Sequence, residues 1–147
     1  MWAKMTLFET CARVPLIVRV PGKTRAGTRA KGLVELVDLF PTLAELCDVP
    51  APNDLQGRSL VGMLSDPGAA GKDYAYTVVR RGRRLGRAIR FDRWRYAEWG
   101  DPAANELYDL TDDPREITNL SRKSQHTATV ERARGILQEA SRAAAGR

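Results

Sequence analysis

Few residues in this chain of 147 are equipped for chemistry, and their spacing narrows the options. Cys11 and Cys47 stand far apart among apolar or small neighbours, matching no close-spaced metal or redox pair, and read as two buried thiols. The only histidine, His126, lies in the polar stretch Ser124-Gln125-His126-Thr127 without a nucleophile or second ligand close by, which is the setting of a surface residue. Asp109, Asp112, Asp113 and Glu116 carry the oxygen chemistry of a calcium loop but lack the ligand spacing of an EF-hand, so a solvated turn is expected. There is no Ser/His/Asp set, no carboxylate pair in an apolar context and no glycine-rich phosphate loop. The remaining charged feature is basic: Arg80, Arg81, Arg83 and Arg84 cluster, and the formal net charge is +6. Clustered guanidinium groups could release counterions from sulfate or phosphate chains. An arginine excess beside abundant alanine is also common on solvated surfaces, which disfavours a nucleic-acid reading.

These residues need elements to place them. Val14-Pro15-Leu16-Ile17-Val18-Arg19-Val20 is a β-branched, apolar run closed by Pro21-Gly22 and predicts a strand buried on both faces. Residues 23–32 are basic and glycine-containing and predict an exposed loop. A short turn or strand over 33–37 then leads into a helix over 41–47, a Pro- and Gly-bearing loop, and one or two helical turns over 59–64. After Gly71 the pattern shortens to antiparallel strands at 74–79, 87–91, 94–99 and 106–110, with turns at Gly82, Asp92 and Gly100-Asp101-Pro102. Trp94, Tyr96 and Trp99 are expected on one face of the third of these strands. The stretch 127–144 predicts an amphipathic helix whose stripe is Val130, Ala133, Ile136, Leu137 and Ala140, packing on the small sheet. No stretch approaches the roughly 20 apolar residues of a membrane helix, and the first residues lack the apolar centre of a signal peptide.

Several ordered segments carry a resemblance. Trp2-Ala3-Lys4-Met5-Thr6-Leu7-Phe8-Glu9, followed by Ala12-Arg13-Val14-Pro15-Leu16-Ile17 and Val20-Pro21-Gly22, resembles the sulfatase segment around the sulfate-binding lysine. The segment 33–43, with Gln56-Gly57-Arg58-Ser59-Leu60, is similar to the stretch that follows in iduronate-2-sulfatases. The runs 89–96 with Glu98-Trp99, and 106–110 through Asp113-Pro114, Glu116 and Asn119-Leu120, resemble the strands and closing turn of the sulfatase C-terminal subdomain.

The resemblance implies an α/β fold: one strand of a main mixed sheet plus a helix in residues 1–70, the end of a catalytic domain, then a C-terminal subdomain over 71–147 with a small antiparallel sheet packed against a terminal helix. It implies a sulfuric ester hydrolase of the alkaline-phosphatase-like superfamily, with Lys4 as the sulfate-binding residue. Glu9 and Arg13 would hold their segment against the main sheet. The family's nucleophile is a formylglycine made from a Cys/Ser-x-Pro-x-Arg motif, and its cofactor is calcium. Neither Cys11 nor Cys47 has that context, and the family's metal ligands lie upstream of the matched segment, so this chain is expected to hold no cofactor, to act on a sulfate ester only together with an N-terminal domain, and to be inactive alone. Full-length members are often exported or lysosomal. The alternative is a noncatalytic binder of sulfated glycans, or of nucleic acid, through the Arg80–Arg84 patch.

Overall fold

A computed structural model describes residues 5–146 and divides them into two compact units. The first unit joins residues 5–14 to 74–146 and the second holds residues 15–73. Residues 5–14, assigned from sequence to a first domain of residues 1–70, group with residues 74–146.

In the first unit four antiparallel strands, β1 (Tyr74–Arg81), β2 (Arg84–Phe91), β3 (Trp94–Trp99) and β4 (Asp101–Asp109), form a sheet in chain order. Tight turns make this possible. Gly82 takes φ 58° at the first position of the two-residue β1–β2 loop, and Asp92 takes φ 43° between β2 and β3, a conformation aspartate tolerates better than most residues. Period-2 alternation then sorts the side chains. Tyr76, Ile89, Tyr96 and Leu107 pair across the sheet on one face, while Ala75, Arg90, Arg95 and Tyr108 pair on the other.

The first face receives the long helix, which we label α4 (Thr127–Ala145). Val130, Ala133, Leu137 and Ala140 recur at helical spacing and close on Ile89, Phe91, Tyr96 and Leu107. Ile89, Phe91, Tyr96, Leu107 and Leu137 are each fully buried, and burial of such side chains contributes about 1.5–3 kcal/mol apiece. This face therefore holds most of the unit's core. On the opposite face Ala88 and Ala97 leave room for Leu7, which buries against them. Leu7 arrives just ahead of α1 (Glu9–Ala12), a single helical turn that the sequence pattern does not signal.

Burial also sets the chemistry of Tyr96. Its hydroxyl donates to Glu98 Oε1 at 2.8 Å, and desolvation, reinforced by that carboxylate, pushes the phenol up to about 12. A phenol pKa raised above its unfolded value near 10 adds stability that is complete below about pH 10 and is lost as pH climbs towards 12. Urea midpoints measured across this alkaline range should fall for the parent and fall less steeply for Tyr96→Phe. Equal slopes would show that the Tyr96 hydroxyl does not carry the effect.

The second unit contains α2 (Leu39–Leu46), preceded by a 3-10 turn over Leu36–Asp38, and α3 (Val61–Ser65). Its centre is ionic. Asp38 is fully buried, accepts the Glu35 and Arg58 backbone N–H groups at 2.8 Å each, and pairs with Lys72 at 2.6 Å. Lys72 also pairs with Glu35 at 2.5 Å; burial lowers the ammonium pKa, but its bonds to Asp38 and Glu35 outweigh this and raise it. Gly57 is required here, because a Cβ would lie 2.1 Å from the Val37 carbonyl oxygen.

Three expectations are corrected. Residues 14–20 form no strand: they have no ladder partner among the described residues, and Ile17 is 91% exposed. An apolar run needs a neighbouring strand to become one, and Pro15 removes a donor from within it. The cysteines are not buried thiols, since Cys11 is half-buried and Cys47 exposed. Trp99 does not share a face with Trp94 and Tyr96: its position has the opposite parity, and it packs beside Leu7, Ala88 and Ala97.

Candidate functional site

Lys4 lies outside the described residues, but the residues that follow it are firmly held. Thr6 and Leu7 are buried, the Phe8 ring lies 5.9 Å from that of Tyr108, and Glu9 enters an ionic cluster on the sheet. At the centre of that cluster is Arg95, on β3, 3% exposed. Its guanidinium donates to the Leu7 carbonyl at 2.8 Å, pairs with Glu9 Oε2 at 2.5 Å, and faces Glu116 Oε1 at 3.4 Å. Glu116 closes the ring by accepting the Glu9 backbone N–H at 2.6 Å, from a backbone position with φ 55°. Desolvation raises the Glu116 carboxyl pKa, against the opposing pull of that N–H and of Arg95. Glu9 thus has the holding role foreseen for it, but its anchor is the small antiparallel sheet; Arg13 is exposed.

The other carboxylates of the acidic cluster also have fixed partners. Asp109 and Asp112 both pair with Arg93, at 2.5 and 2.7 Å. Asp113 Oδ2 accepts the Ile117 and Thr118 N–H groups at 2.8 Å each. These groups are turn caps and counter-ions, and among the described residues no three His, Cys, Asp or Glu side chains converge as a metal site. The calcium implied by the resemblance does not fit this donor set. His126 packs edge-on against Trp94, with ring centroids 5.5 Å apart.

The four arginines named from sequence all sit at or beside the β1–β2 turn and are all exposed. Arg81 and Arg84 border a basin of about 570 Å³ completed by Trp99, Asn105, Glu106 and Asn119. The Arg81 guanidinium lies 5.7 Å from the centre of the Trp99 ring, and Gly86, lacking a side chain, admits that ring against β2. Burial raises the Glu106 carboxyl pKa despite a hydrogen bond from Tyr108. Sequence reading found the arginines but not the basin, whose walls come from positions up to 38 apart in the chain, Arg81 to Asn119.

The first unit is thus a small antiparallel sheet in chain order, covered on one face by the C-terminal helix and on the other by the N-terminal segment around Leu7. Residues 1–143 match the family described as N-sulphoglucosamine sulphohydrolase, C-terminal, and the chain belongs to it. It is 30% identical to human arylsulfatase K over 134 residues, covering 82% of this chain and 24% of that protein. It is 29% identical to an N-acetylglucosamine-6-O-sulfatase of Bacteroides thetaiotaomicron over 146 residues, covering 92% and 26%. The chain thus spans about a quarter of the length of these relatives. Among solved structures, one of a protein in complex with its substrate D-glucosamine-2-N,6-O-disulfate superposes with a TM-score of 0.84 at 26% identity, covering 94% of this chain and 30% of the other. The phosphonate monoester hydrolase of Silicibacter pomeroyi superposes with a TM-score of 0.82 at 23% identity, covering 96% and 31%, a likeness of fold.

Proposed function

We propose that this chain supplies the C-terminal part of a sulfuric ester hydrolase resembling iduronate-2-sulfatase, with Lys4 as its sulfate-binding lysine, and that it does not turn over substrate by itself. The observation that carries the second statement is in the sequence: no Cys/Ser-x-Pro-x-Arg motif occurs in the 147 residues, and the nearest approach, Ser65-Asp66-Pro67-Gly68-Ala69, ends in alanine. Without that precursor no formylglycine can form here, and a lysine ammonium has no developing charge to stabilise. The nucleophile and calcium would come from sequence outside this chain. Exposed apolar side chains support the reading: Leu36, Val37, Phe40 and Leu43, on and just before α2, are each more than half exposed, as a surface meant to be covered would be.

The chain should show no hydrolysis of 4-nitrocatechol sulfate, with or without calcium, and no difference from Lys4→Ala. Co-expression with the N-terminal part of a related sulfatase should restore activity. Turnover by the chain alone above the Lys4→Ala background would overturn the proposal.

A further inference from the structure

We propose that Glu116 is a positioning residue whose buried carboxyl takes up a proton as the medium turns acidic, and that this proton tightens the hold on residues 6–12. Charge is out of balance where that segment meets the sheet. Arg95 is the central cation, its side chain 4% exposed, and three carboxylates act around it: Glu9 on the segment, Glu106 on β4 and Glu116 in the turn beyond β4. Arg90 also feels Glu9, but its guanidinium is bonded to the backbone carbonyls of Phe91, Asp92 and Trp94. Tyr108 faces both Glu106 and Glu116; desolvation, with those carboxylates beside it, pushes its phenol up to about 12, so it adds no charge.

Glu116 is far more enclosed than Glu9, with 1% of its side chain exposed against 20%. Its two oxygens are used unequally. Oε2 accepts the Glu9 backbone N–H at 2.6 Å, whereas Oε1 is buried without a hydrogen-bond partner and faces Arg95 Nε at 3.4 Å. A proton on Oε1 therefore leaves the bond to Glu9 in place and removes a charge that burial penalises. The Glu9 N–H and Arg95 favour the charged form, but desolvation outweighs them and raises the carboxyl pKa, as it also does at Glu106. When the segment lifts, Glu116 loses its cover and titrates as an ordinary carboxyl. The held form thus binds the proton more tightly than the lifted form. Its advantage is complete below the ordinary value of 4.5 and is lost as pH rises through the raised one. The consequence for Lys4, two positions before Thr6, rests on the role proposed for it above; the hold on residues 6–12 does not.

Hydrogen exchange of the 147-residue chain, read as protection factors over residues 6–12 with α4 as internal reference, tests the hold itself and not the sulfatase reading. Relative protection should be about threefold or more higher at about pH 5 than at about pH 7.5. In Glu116→Gln, a neutral isostere whose amide oxygen still accepts the Glu9 N–H, it should be as high in neutral as in acidic buffer. Glu139→Gln removes a carboxylate from the exposed side of α4 and should leave the pH dependence as it was. Carbon-13 titration of the Glu116 carboxyl gives an independent reading, with a midpoint above 4.5 expected. The proposal is overturned if protection of the parent is unchanged or falls on acidification, if Glu116→Gln loosens residues 6–12 at neutral pH, or if the Glu116 carboxyl titrates at or below its ordinary value.

Discussion

Arg95→Ala is expected to lower the unfolding free energy by about 3–5 kcal/mol, among the largest losses available to a single substitution in this chain. The reason is what remains behind. Arg95 is 3% exposed and stands between the carboxylates of Glu9 and Glu116, with the Leu7 carbonyl as a third acceptor. Its removal leaves two like charges close together in a largely desolvated place, without the guanidinium that stands between them. Arg95→Met should be nearly as costly on its own, yet much cheaper beside Glu9→Gln and Glu116→Gln, because neutral amides can satisfy one another where carboxylates cannot. Urea denaturation of the single and triple variants measures this directly. Hydrogen exchange should report the same loss locally, as faster exchange across residues 6–12 than in α4. A cost below about 1 kcal/mol for Arg95→Ala would place the cluster among ordinary surface ion pairs and remove its role as the anchor of the N-terminal segment.

The antiparallel sheet and the last helix were legible because their signals are local. Strands β1 to β4 follow alternation and turn residues that stand next to one another, and α4 follows an apolar stripe and ends one residue beyond the limit it predicts. Failures came where a partner distant in sequence decides the outcome. Whether 14–20 becomes a strand depends on a neighbour, not on its own β-branched content. Glu9, Arg95 and Glu116 look unrelated in sequence, since 86 and 107 positions separate Glu9 from the other two. Positions 94 and 96 share a face of a strand and position 99 does not, so Trp99 turns away from the helix and packs beside Leu7, Ala88 and Ala97.

The Arg95 cluster bears on the proposed role of Lys4, because the anchored residues Thr6, Leu7 and Glu9 directly follow it in the chain. In an enzyme reassembled with a related sulfatase's N-terminal part, Lys4→Ala should cut kcat about a hundredfold, or on the order of 3 kcal/mol, while leaving KM within a few-fold. A cation beside the sulfate interacts most strongly when negative charge shifts onto the leaving oxygen, so its loss falls on the transition state more than on the bound ground state. Lys4→Arg should recover little, since a planar fork does not reproduce a compact ammonium in a confined site. Arg95→Met in the same assembly separates positioning from direct contact: if the anchor places Lys4, kcat should fall in Arg95→Met and should fall no further when Lys4→Ala is added. Steady-state kinetics of the parent, Lys4→Ala, Arg95→Met and the double variant decide the matter. If Lys4→Ala keeps kcat within about twofold of the parent, the match around Lys4 is one of structure alone, and the sulfate must be held by another residue.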